Sequence, residues 1–440
     1  MRITLISVGS RGDVQPYVAL GRGLLAAGYQ VRLATHPPFE SFARQHGLDF
    51  APLHGNPQEI LQGELAQVLM NGGRDTIRLL GMFVQLGREM MDQLHGDIWQ
   101  AAQGSDALVY GPLAVASHYA AKKLAIPAIP SLLQPIARSY RRPSIFMPRW
   151  LKLGIPFNYL SHLFVEQMLW QPSRSQVNRW LTEDMEMEPL AFRGPFREIY
   201  YESGPILMAF SPHVVPPAPD WPANHQLTGY WILEAEDDWQ APAALTTFLE
   251  AGDPPVYVGF GSMPAEDPAA AAEVVLAALE RSGQRGLLLQ GWGGLATDDL
   301  PDSVHMIEAA PHSWLFPRMN AVVHHGGAGT TAAGLRAGVP SIIVPHFSDQ
   351  PYWGERVQAL GMGPAPIPRK KLSVARLARA IEAAQGAEMR AQAAALGEKL
   401  RVEDGVRAAV ALIGERVGQP QAFAQDRKST RLNSSHSSVS

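Results

Sequence analysis

The feature that most constrains the fold is an apolar strand that runs directly into a glycine-rich turn. Residues 321–323 are Ala-Val-Val, and residues 324–331 are His-His-Gly-Gly-Ala-Gly-Thr-Thr. Small and hydroxyl-bearing residues can start a helix here, and the first N–H groups of a helix have no partner within it. These groups and the helix dipole attract an anion, and glycine lets the main chain come close to it. The segment predicts a strand–turn–helix unit that holds phosphate.

Other interpretations of the turn fit its residues less well. A Walker A loop needs a lysine followed by serine or threonine, and a dinucleotide fingerprint needs G-x-G-x-x-G after a first strand. A lipase-type oxyanion loop would be accompanied by a G-x-S-x-G elbow, which the chain lacks. A plain tight turn needs one or two glycines, without a flanking histidine and paired threonines. Phosphate binding is therefore favoured.

Strands alternate with helices on both sides of the middle of the chain. This alternation predicts α/β folding with parallel, doubly wound sheets. In the first half we expect strands at 3–8, 30–34, 48–51, 107–110 and 128–132, and helices at 17–27 (after Pro16), 39–46, 76–100 and 114–123. In the second half we expect strands at 256–260, 286–290, 304–307, 321–324 and 341–344.

A length of 440 residues with 46% hydrophobic content predicts two domains. Five prolines between Ser211 and Gln226 cannot continue a helix or an inner strand, so 211–226 is expected to be an interdomain linker. The domains would then be 1–210 and 227–420, with the last helix packing back on the first domain. Residues 421–440 end in a serine-rich polar run and are expected to be a disordered, non-native tail.

Composition argues against several classes of partner and site. The net charge of −4 gives no basic field for nucleic acid, and the absence of cysteine excludes disulfides and thiolate metal sites. His36, His54, His118, His162 and His213 lack metal-ligand spacing, so no metal is expected. No apolar run reaches the length of about 18 residues that spans a bilayer. A cytoplasmic protein, with peripheral contact at the inner membrane face as an option, is the expectation.

Several motifs together resemble a known family. The turn at 325–330, followed by Gly-Val-Pro at 338–340, Pro345 and Asp349-Gln350, is similar to the donor-binding signature of glycosyltransferase family 1. That family has the GT-B fold, two Rossmann-like domains facing a cleft. Residues 9–16, Gly-Ser-Arg-Gly-Asp-Val-Gln-Pro, resemble the start of sterol glucosyltransferases and glycopeptide-antibiotic glycosyltransferases. The segments 311–316 and 364–368 favour the sterol-type group, and the resemblance covers about residues 1–420.

The resemblance implies a set of donor-binding residues in the second domain. His325 would contact the diphosphate, and Ser262 would donate one more hydrogen bond unless it is an ordinary turn or cap serine. Asp349 and Gln350 would bind sugar hydroxyls, although capping the helix near Pro351 is an alternative for the aspartate. Main-chain groups of Ala310 and His312 would hold a uracil ring. The remaining diphosphate contacts would come from the amides of Gly327, Ala328, Gly329 and Thr330 and from the Thr330 hydroxyl.

Residues of the first domain would complete the site. Ser10 and Arg11 would close over the phosphates, although an arginine so near an aspartate can instead pair with it. Asp13 lies just past the first strand, where ligands of doubly wound folds bind, and is the candidate general base. The alternative role of Asp13 is as the N-cap of the helix near Pro16, which spacing alone favours. The resemblance favours the catalytic role instead.

The acceptor side is expected near residues 138–170. Residues 138–152 hold five basic and no acidic side chains, interleaved with aromatic ones, and an amphipathic stretch with Phe157, Leu160, Phe164 and Met168 follows. Two interpretations explain this pattern equally well: a solvated basic loop before an ordinary core helix, or a hydrophobic acceptor pocket with a basic rim. The second interpretation adds peripheral contact with an anionic membrane.

The implied function is an inverting, metal-independent transfer of a hexose, most simply glucose, from a UDP-sugar to a hydroxyl of a lipophilic acceptor. The UDP-sugar is a co-substrate and no cofactor is expected. A catalytically silent protein that binds a nucleotide sugar or supports a partner protein is the alternative. A sugar-nucleotide epimerase on the same fold is a third option, disfavoured by the type of donor signature. The sequence leaves the oligomeric state open.

Overall fold

The computed structural model describes residues 1–55, 93–147, 153–235, 239–260, 268–290 and 300–418. Within these residues the chain forms a parallel sheet of seven strands and a parallel sheet of five, both flanked by helices. The prediction of two doubly wound α/β sheets is confirmed. Of the predicted helix over 76–100, only the part from residue 93 is described. Ser262, residues 148–152 and the tail at 421–440 lie outside the described residues.

The first half contains seven strands that all join one sheet. Its elements are β1 (Arg2–Ile6), α1 (Arg11–Ala26), β2 (Gln30–Thr35), α2 (Glu40–Gln45), β3 (Asp49–Pro52), a helix at 93–102, β4 (Ala107–Tyr110), α3 (Ala116–Leu124), β5 (Ala128–Leu132), α4 (Ile155–Glu183), β6 (Ile206–Met208) and β7 (His225–Leu227). The strand order is β3-β2-β1-β4-β5-β6-β7. Strand order reverses between β1 and β4, which is where ligands of such sheets bind.

Helix α1 begins earlier than the sequence predicts. It starts at Arg11 and carries Pro16 inside it, because Ser10 caps the first turn and Asp13 completes a capping box. In such a box the third helical residue accepts a hydrogen bond from the amide of the cap residue. The expectation of a helix that starts after Pro16 is therefore wrong. The alternative role of Asp13 as the N-cap is wrong as well, since Ser10 is the N-cap and Asp13 lies in the first turn.

The proline-rich segment at 211–226 does not separate the two sheets. It connects β6 with β7, and β7 pairs in parallel with β6 through the register Leu207 to Gln226. The interpretation of 211–226 as the interdomain linker is therefore wrong, since the chain leaves the first sheet only after Leu227. The five prolines are tolerated because they lie at 212–222, before β7 begins, where no ladder hydrogen bonds are needed.

The second half repeats the alternation around five strands. Its sheet has the order β10-β9-β8-β11-β12, and the reversal falls between β8 and β11. The elements are α5 (Ala243–Glu250), β8 (Val256–Gly259), α6 (Pro268–Arg281), β9 (Gly286–Leu289), β10 (Val304–Ile307), α7 (His312–Leu315), β11 (Ala321–His324), α8 (Ala328–Ala337), β12 (Ser341–Ile343), α9 (Gln350–Ala359), α10 (Val374–Ala384), α11 (Ala387–Arg401) and α12 (Gly405–Val417). Strand β11 is fully buried, as expected for a central parallel strand.

The chain crosses between the two halves twice, at neighbouring places. The outgoing segment at Gly229–Tyr230 contacts the returning segment at Gly405, where a Cβ would overlap the carbonyl oxygen of Tyr230. After the return, α12 packs on α1, and a Cβ on Gly23 would overlap the side chain of Val406. The Tyr29 hydroxyl donates to the carbonyl of Gly418 at 2.9 Å, which fixes the end of α12 to the first half.

Candidate active site

The turn after β1 places Asp13 at the carboxyl end of the first sheet. Gly9 has φ +140°, and a Cβ there would overlap the Asp13 carboxylate. The main-chain amide of Ser10 donates to Asp13 Oδ2 at 2.9 Å, and the Ser10 hydroxyl donates to the same oxygen at 3.1 Å. Because both bonds end on Oδ2, Oδ1 is the oxygen that these bonds leave available to a ligand.

The environment of Asp13 makes it a better base than an ordinary carboxylate. Burial raises its pKa to about 6, the two hydrogen bonds from Ser10 oppose that rise, and the negative charge of Asp349 adds to it. A base works best when its pKa lies near the working pH. At neutral pH the carboxylate is ionised and holds a proton more strongly than an exposed aspartate does.

The glycine-rich turn after β11 has the open helix start that the sequence predicts. Gly326 has φ +90°, and a Cβ there would lie 2.6 Å from Ile343 Cγ2, so only glycine fits. Gly327 is the N-cap of α8, and the first helical bond runs from the amide of Thr331 to the carbonyl of Gly327. The amides of residues 328–330 therefore have no partner within the helix. Among the described residues, a Cβ on Gly329 would meet nothing within 4 Å, so this helix start is left open by the part of the chain that the structure describes.

Two histidines flank this turn and have different roles. His324 is fully buried and accepts a hydrogen bond at Nδ1 from the amide of Gly326 at 3.1 Å, so it holds the turn in place. His325 is oriented towards the helix start, since a Cβ on Gly327 would lie 2.5 Å from its Nε2. Burial, together with the nearby His346 and His312, lowers the pKa of His325 to about 4. At neutral pH it is an uncharged imidazole that donates a single hydrogen bond.

The expected base-binding residues lie beside the second sheet. His312 stacks on Phe316 with ring centroids 4.3 Å apart, and burial lowers its pKa to about 4. The charge of Arg11 lowers that pKa further, which shows that the first turn of α1 lies near this histidine. Ala310 is half-buried in the segment between β10 and α7.

Arg11 itself reaches towards α2. Its guanidinium carbon lies 4.5 Å from the ring centroid of Phe42, and its Nε donates to Gln15 Oε1 at 3.3 Å. Burial lowers its pKa. The side chain therefore has an aromatic support and a hydrogen-bonded neighbour at the rim of the cleft.

Asp349 and Gln350 are both near the site, but their side chains are used differently. Asp349 is the N-cap of α9 without a capping bond from its side chain, and its Oδ2 accepts from Trp353 Nε1 at 2.8 Å. Burial raises its pKa, and its charge acts on Asp13. Gln350 is buried, and its Oε1 accepts from the amide of His346 at 2.7 Å. The side-chain oxygen of Gln350 is thus bonded to the main chain of the turn that precedes α9.

A cavity that is partly open to solvent lies in the first half of the chain. Glu166 lines it and forms a two-pronged ion pair with Arg138, at 2.7 Å from Nε and 2.6 Å from Nη2. Trp170 also lines it and is 2% exposed, and its Nε1 has no hydrogen-bond partner among the described residues. The other lining side chains are largely apolar, and they include Ile98, Leu113, Ile136, Phe146, Val165, Leu169, Val177 and Phe196.

Sequence reasoning missed the residues that position the predicted ones. Trp353, which orients Asp349, follows it by one helical turn, and this spacing was the available signal. Glu166 is the sole acidic residue between Arg138 and Thr182, which marks it as paired. Trp170 gave no signal, because a tryptophan inside an amphipathic helix is ordinarily a core residue.

Family models match both ends of the chain. Residues 3–126 match the glycosyltransferase family 28 N-terminal domain. Residues 291–405 match the erythromycin biosynthesis protein CIII-like C-terminal domain. The first match contains Asp13, and the second contains the glycine-rich turn and Asp349.

Curated relatives are similar over nearly all of this chain. A sterol 3-beta-glucosyltransferase of Aspergillus fumigatus is 38% identical over 440 residues, which are 97% of this chain and 30% of the relative. One of Emericella nidulans is 39% identical over 427 residues, 94% of this chain and 30% of the relative. The chain therefore spans less than a third of the length of these relatives.

Solved structures share the architecture at low sequence identity. The glycosyltransferase of kitacinnamycin has a TM-score of 0.70 at 21% identity, covering 94% of this chain and 99% of the other. The calicheamicin glycosyltransferase has a TM-score of 0.68 at 18% identity, covering 96% and 99%. The shared fold therefore extends over nearly the whole of this chain.

Proposed function

Because this chain belongs to the family 1 glycosyltransferases of the GT-B fold, we propose that it transfers a hexose, most simply glucose, from a UDP-sugar to the hydroxyl of a sterol-like acceptor. The relatives that suggest sterol and glucose are about three times as long, so acceptor and sugar are part of the proposal. Its strongest support is the open helix start at Gly329 on one half and the half-buried Asp13 on the other, whose pKa is raised in part by the charge of Asp349 from the second half.

In the proposed reaction Asp13 accepts the proton of the acceptor hydroxyl. The acceptor oxygen attacks the anomeric carbon from the face opposite the leaving group, so the configuration inverts. The bond from the anomeric carbon to the diphosphate oxygen breaks, and its electron pair leaves with the nucleotide. A pKa of about 6 lets Asp13 take the proton late, once bond formation has acidified the hydroxyl.

The amides of residues 328–330 and the imidazole of His325 would stabilise the departing diphosphate. Preorganised donors aimed at developing charge are a large source of rate acceleration. The helix start supplies them in fixed positions, and the neutral His325 adds a hydrogen bond. Because these donors can stabilise the departing charge without a divalent cation, metal independence is part of the proposal.

The cavity supports a lipophilic acceptor. Small-molecule sites are usually lined mostly by hydrophobic and aromatic side chains with a few polar groups, as this cavity is. Its apolar lining suits a fused-ring skeleton, and the Trp170 N–H and the Glu166–Arg138 pair offer bonds to a few oxygens. Such buried polar groups favour acceptors that place an oxygen opposite them.

A release assay for nucleoside diphosphate tests the proposal. UDP-glucose and dTDP-glucose are compared with sterols, flavonoids and macrolides as acceptors, with and without a chelator. Steady UDP release that depends on a sterol and survives chelation is expected. Release that stops with the chelator would contradict the metal-independent mechanism.

The silent-protein alternative predicts nucleotide-sugar binding without turnover for every acceptor. The retained Asp13, with a raised pKa and a fixed carboxylate, speaks against it. An epimerase would convert UDP-glucose in the absence of any acceptor, and chromatography of the nucleotide sugar distinguishes that outcome.

A further inference from the structure

Helix α4 carries an apolar stripe on its outer face. Leu160, Phe164 and Met168 follow one another at intervals of four residues and are 59%, 56% and 56% exposed. Side chains four apart lie on one face of a helix. Phe192, 62% exposed, lies alongside, since Gln171 Nε2 donates to its carbonyl at 3.0 Å. We call these four residues the α4 stripe.

The charged side chains on α4 itself are mainly basic. Between Ile155 and Thr182 the helix carries Arg174, Arg179 and one acid, Glu166, which is half-buried and paired with Arg138. The Arg174 guanidinium lies 5.4 Å from the Phe192 ring centroid, and Arg193 is exposed next to that ring. Exposed apolar side chains bordered by arginines complement the acyl chains and anionic headgroups of a lipid surface.

The same helix joins this surface to the cavity. Leu169 lines the cavity and is 48% exposed, and Leu113 and Phe146 line it at 50% and 39% exposure. The exposed edge of the cavity therefore includes apolar side chains, and one of them, Leu169, follows Met168 of the α4 stripe directly in sequence. No helix among the described residues is long and apolar enough to cross a membrane. Contact would be with the surface of a bilayer.

We propose that the α4 stripe rests on an anionic lipid surface and that a lipophilic acceptor enters the cavity from it. The lipid contact does not depend on the proposed function. The entry route for an acceptor does rest on the proposed function. The arrangement gives a molecule of low water solubility an apolar path to the cavity. The bordering arginines hold the protein at a fixed orientation on the bilayer.

Co-sedimentation of the full chain with vesicles tests the lipid contact. We expect binding to phosphatidylcholine vesicles that contain about 30% phosphatidylglycerol, at least about tenfold weaker binding to pure phosphatidylcholine, and weakening by salt. The triple variant Leu160→Ser, Phe164→Ser, Met168→Ser should lose at least about tenfold in affinity. Val402→Ser, at an equally apolar position that is 83% exposed, is the matched control and should bind normally.

Wild-type protein that ignores anionic vesicles, or a triple variant that binds them unchanged, would overturn the proposal. A wild-type dimer that the triple substitution makes monomeric, without vesicle binding, would assign the α4 stripe to a second copy of the chain instead. Turnover of acceptor delivered in cyclodextrin separates the two hypotheses. Contrary to the pocket interpretation of the sequence, none of the three substituted side chains lines the cavity, so the triple variant should keep this activity and lose turnover of vesicle-bound acceptor. Absence of both activities in the wild type would contradict the proposed function alone.

Discussion

Asp13 combines a capping bond with a chemical role, and one substitution separates the two. Asparagine keeps an oxygen that accepts from the Ser10 amide, but it cannot take a proton. We expect Asp13→Asn to leave the unfolding midpoint and the donor affinity nearly unchanged, and to lower turnover at least about a hundredfold. Thermal unfolding, nucleotide titration and UDP release measure the three quantities. Near-normal turnover in this variant would mean that Asp13 acts only as a capping residue.

The raised pKa of Asp13 predicts a pH profile. The base form exists above a pKa of about 6, so turnover should fall by about tenfold per pH unit below that value. The Ser10 hydroxyl lowers this pKa by hydrogen bonding to the carboxylate, so Ser10→Ala should move the acid limb to higher pH. A full profile of turnover against pH measures the shift. An unmoved limb would mean that Ser10 acts only on the phosphates.

The sequence indicated which residues would be near the site but not how each is held. Asp13 was found because it follows a buried strand, yet the capping box was missed because Pro16 suggested a later helix start. Gln350 was expected to bind sugar hydroxyls, and the structure shows its oxygen bonded to the amide of His346. A side-chain amide can bond to either kind of partner, and only the three-dimensional arrangement decides between them.

At the scale of an element, the helix start of α8 offers a test that separates stability from binding. Alanine at Gly329 would place a methyl group in the open space where phosphate is expected, and it would favour the helix by up to about 1 kcal/mol. Gly329→Ala should therefore keep or raise the unfolding temperature and weaken UDP binding about tenfold. Calorimetric titration and thermal unfolding measure both.

Gly96→Ala is the matched control for that substitution. It also lies in a helix, and a Cβ there would also meet no described atom within 4 Å, but it is in the other sheet domain. Its UDP affinity should equal that of the wild type. An unchanged UDP affinity in Gly329→Ala would contradict the prediction that this turn binds phosphate.

Strands were the most predictable elements, because fully buried parallel strands read as short apolar runs such as Ala-Val-Val before the glycine turn. Proline-rich segments were the least predictable. Residues 211–226 lack a helix or an inner strand, as expected, but they return the chain to β7. A three-residue strand after such a segment has too few residues to show a period.

At the scale of the whole molecule, α12 belongs by packing to the half it does not follow in sequence. Ile413 is fully buried in a core cluster with residues of α1 and β1. Ile413→Ala should lower the free energy of unfolding by about 2–4 kcal/mol, because it leaves a cavity between α12 and the first sheet. Denaturant unfolding measures the loss. Glu415→Ala, exposed on the same helix, should change it by less than about 0.5 kcal/mol.

Contacts across the cleft could not be predicted from sequence, because they join residues hundreds of positions apart. Asp349 acts on Asp13, and Arg11 acts on His312, each pair from opposite halves. Local propensity and periodicity carry no information on such pairs. The resemblance to a family led us to expect that both halves face one site. The structure adds that charges of one half change the pKa values of Asp13 and His312 in the other.

The crossings at Tyr230 and Gly405 are not the sole connection that the described residues make between the two halves. The Ser211 hydroxyl donates to Glu403 Oε1 at 2.7 Å, and Arg356 Nε donates to the carbonyl of Val214. The side chains of Val214 and Trp353, one from each half, also belong to one buried core cluster. A substitution at any of these positions could therefore change how the first turn of α1 is placed against the second half, far from the residues that would bind the donor.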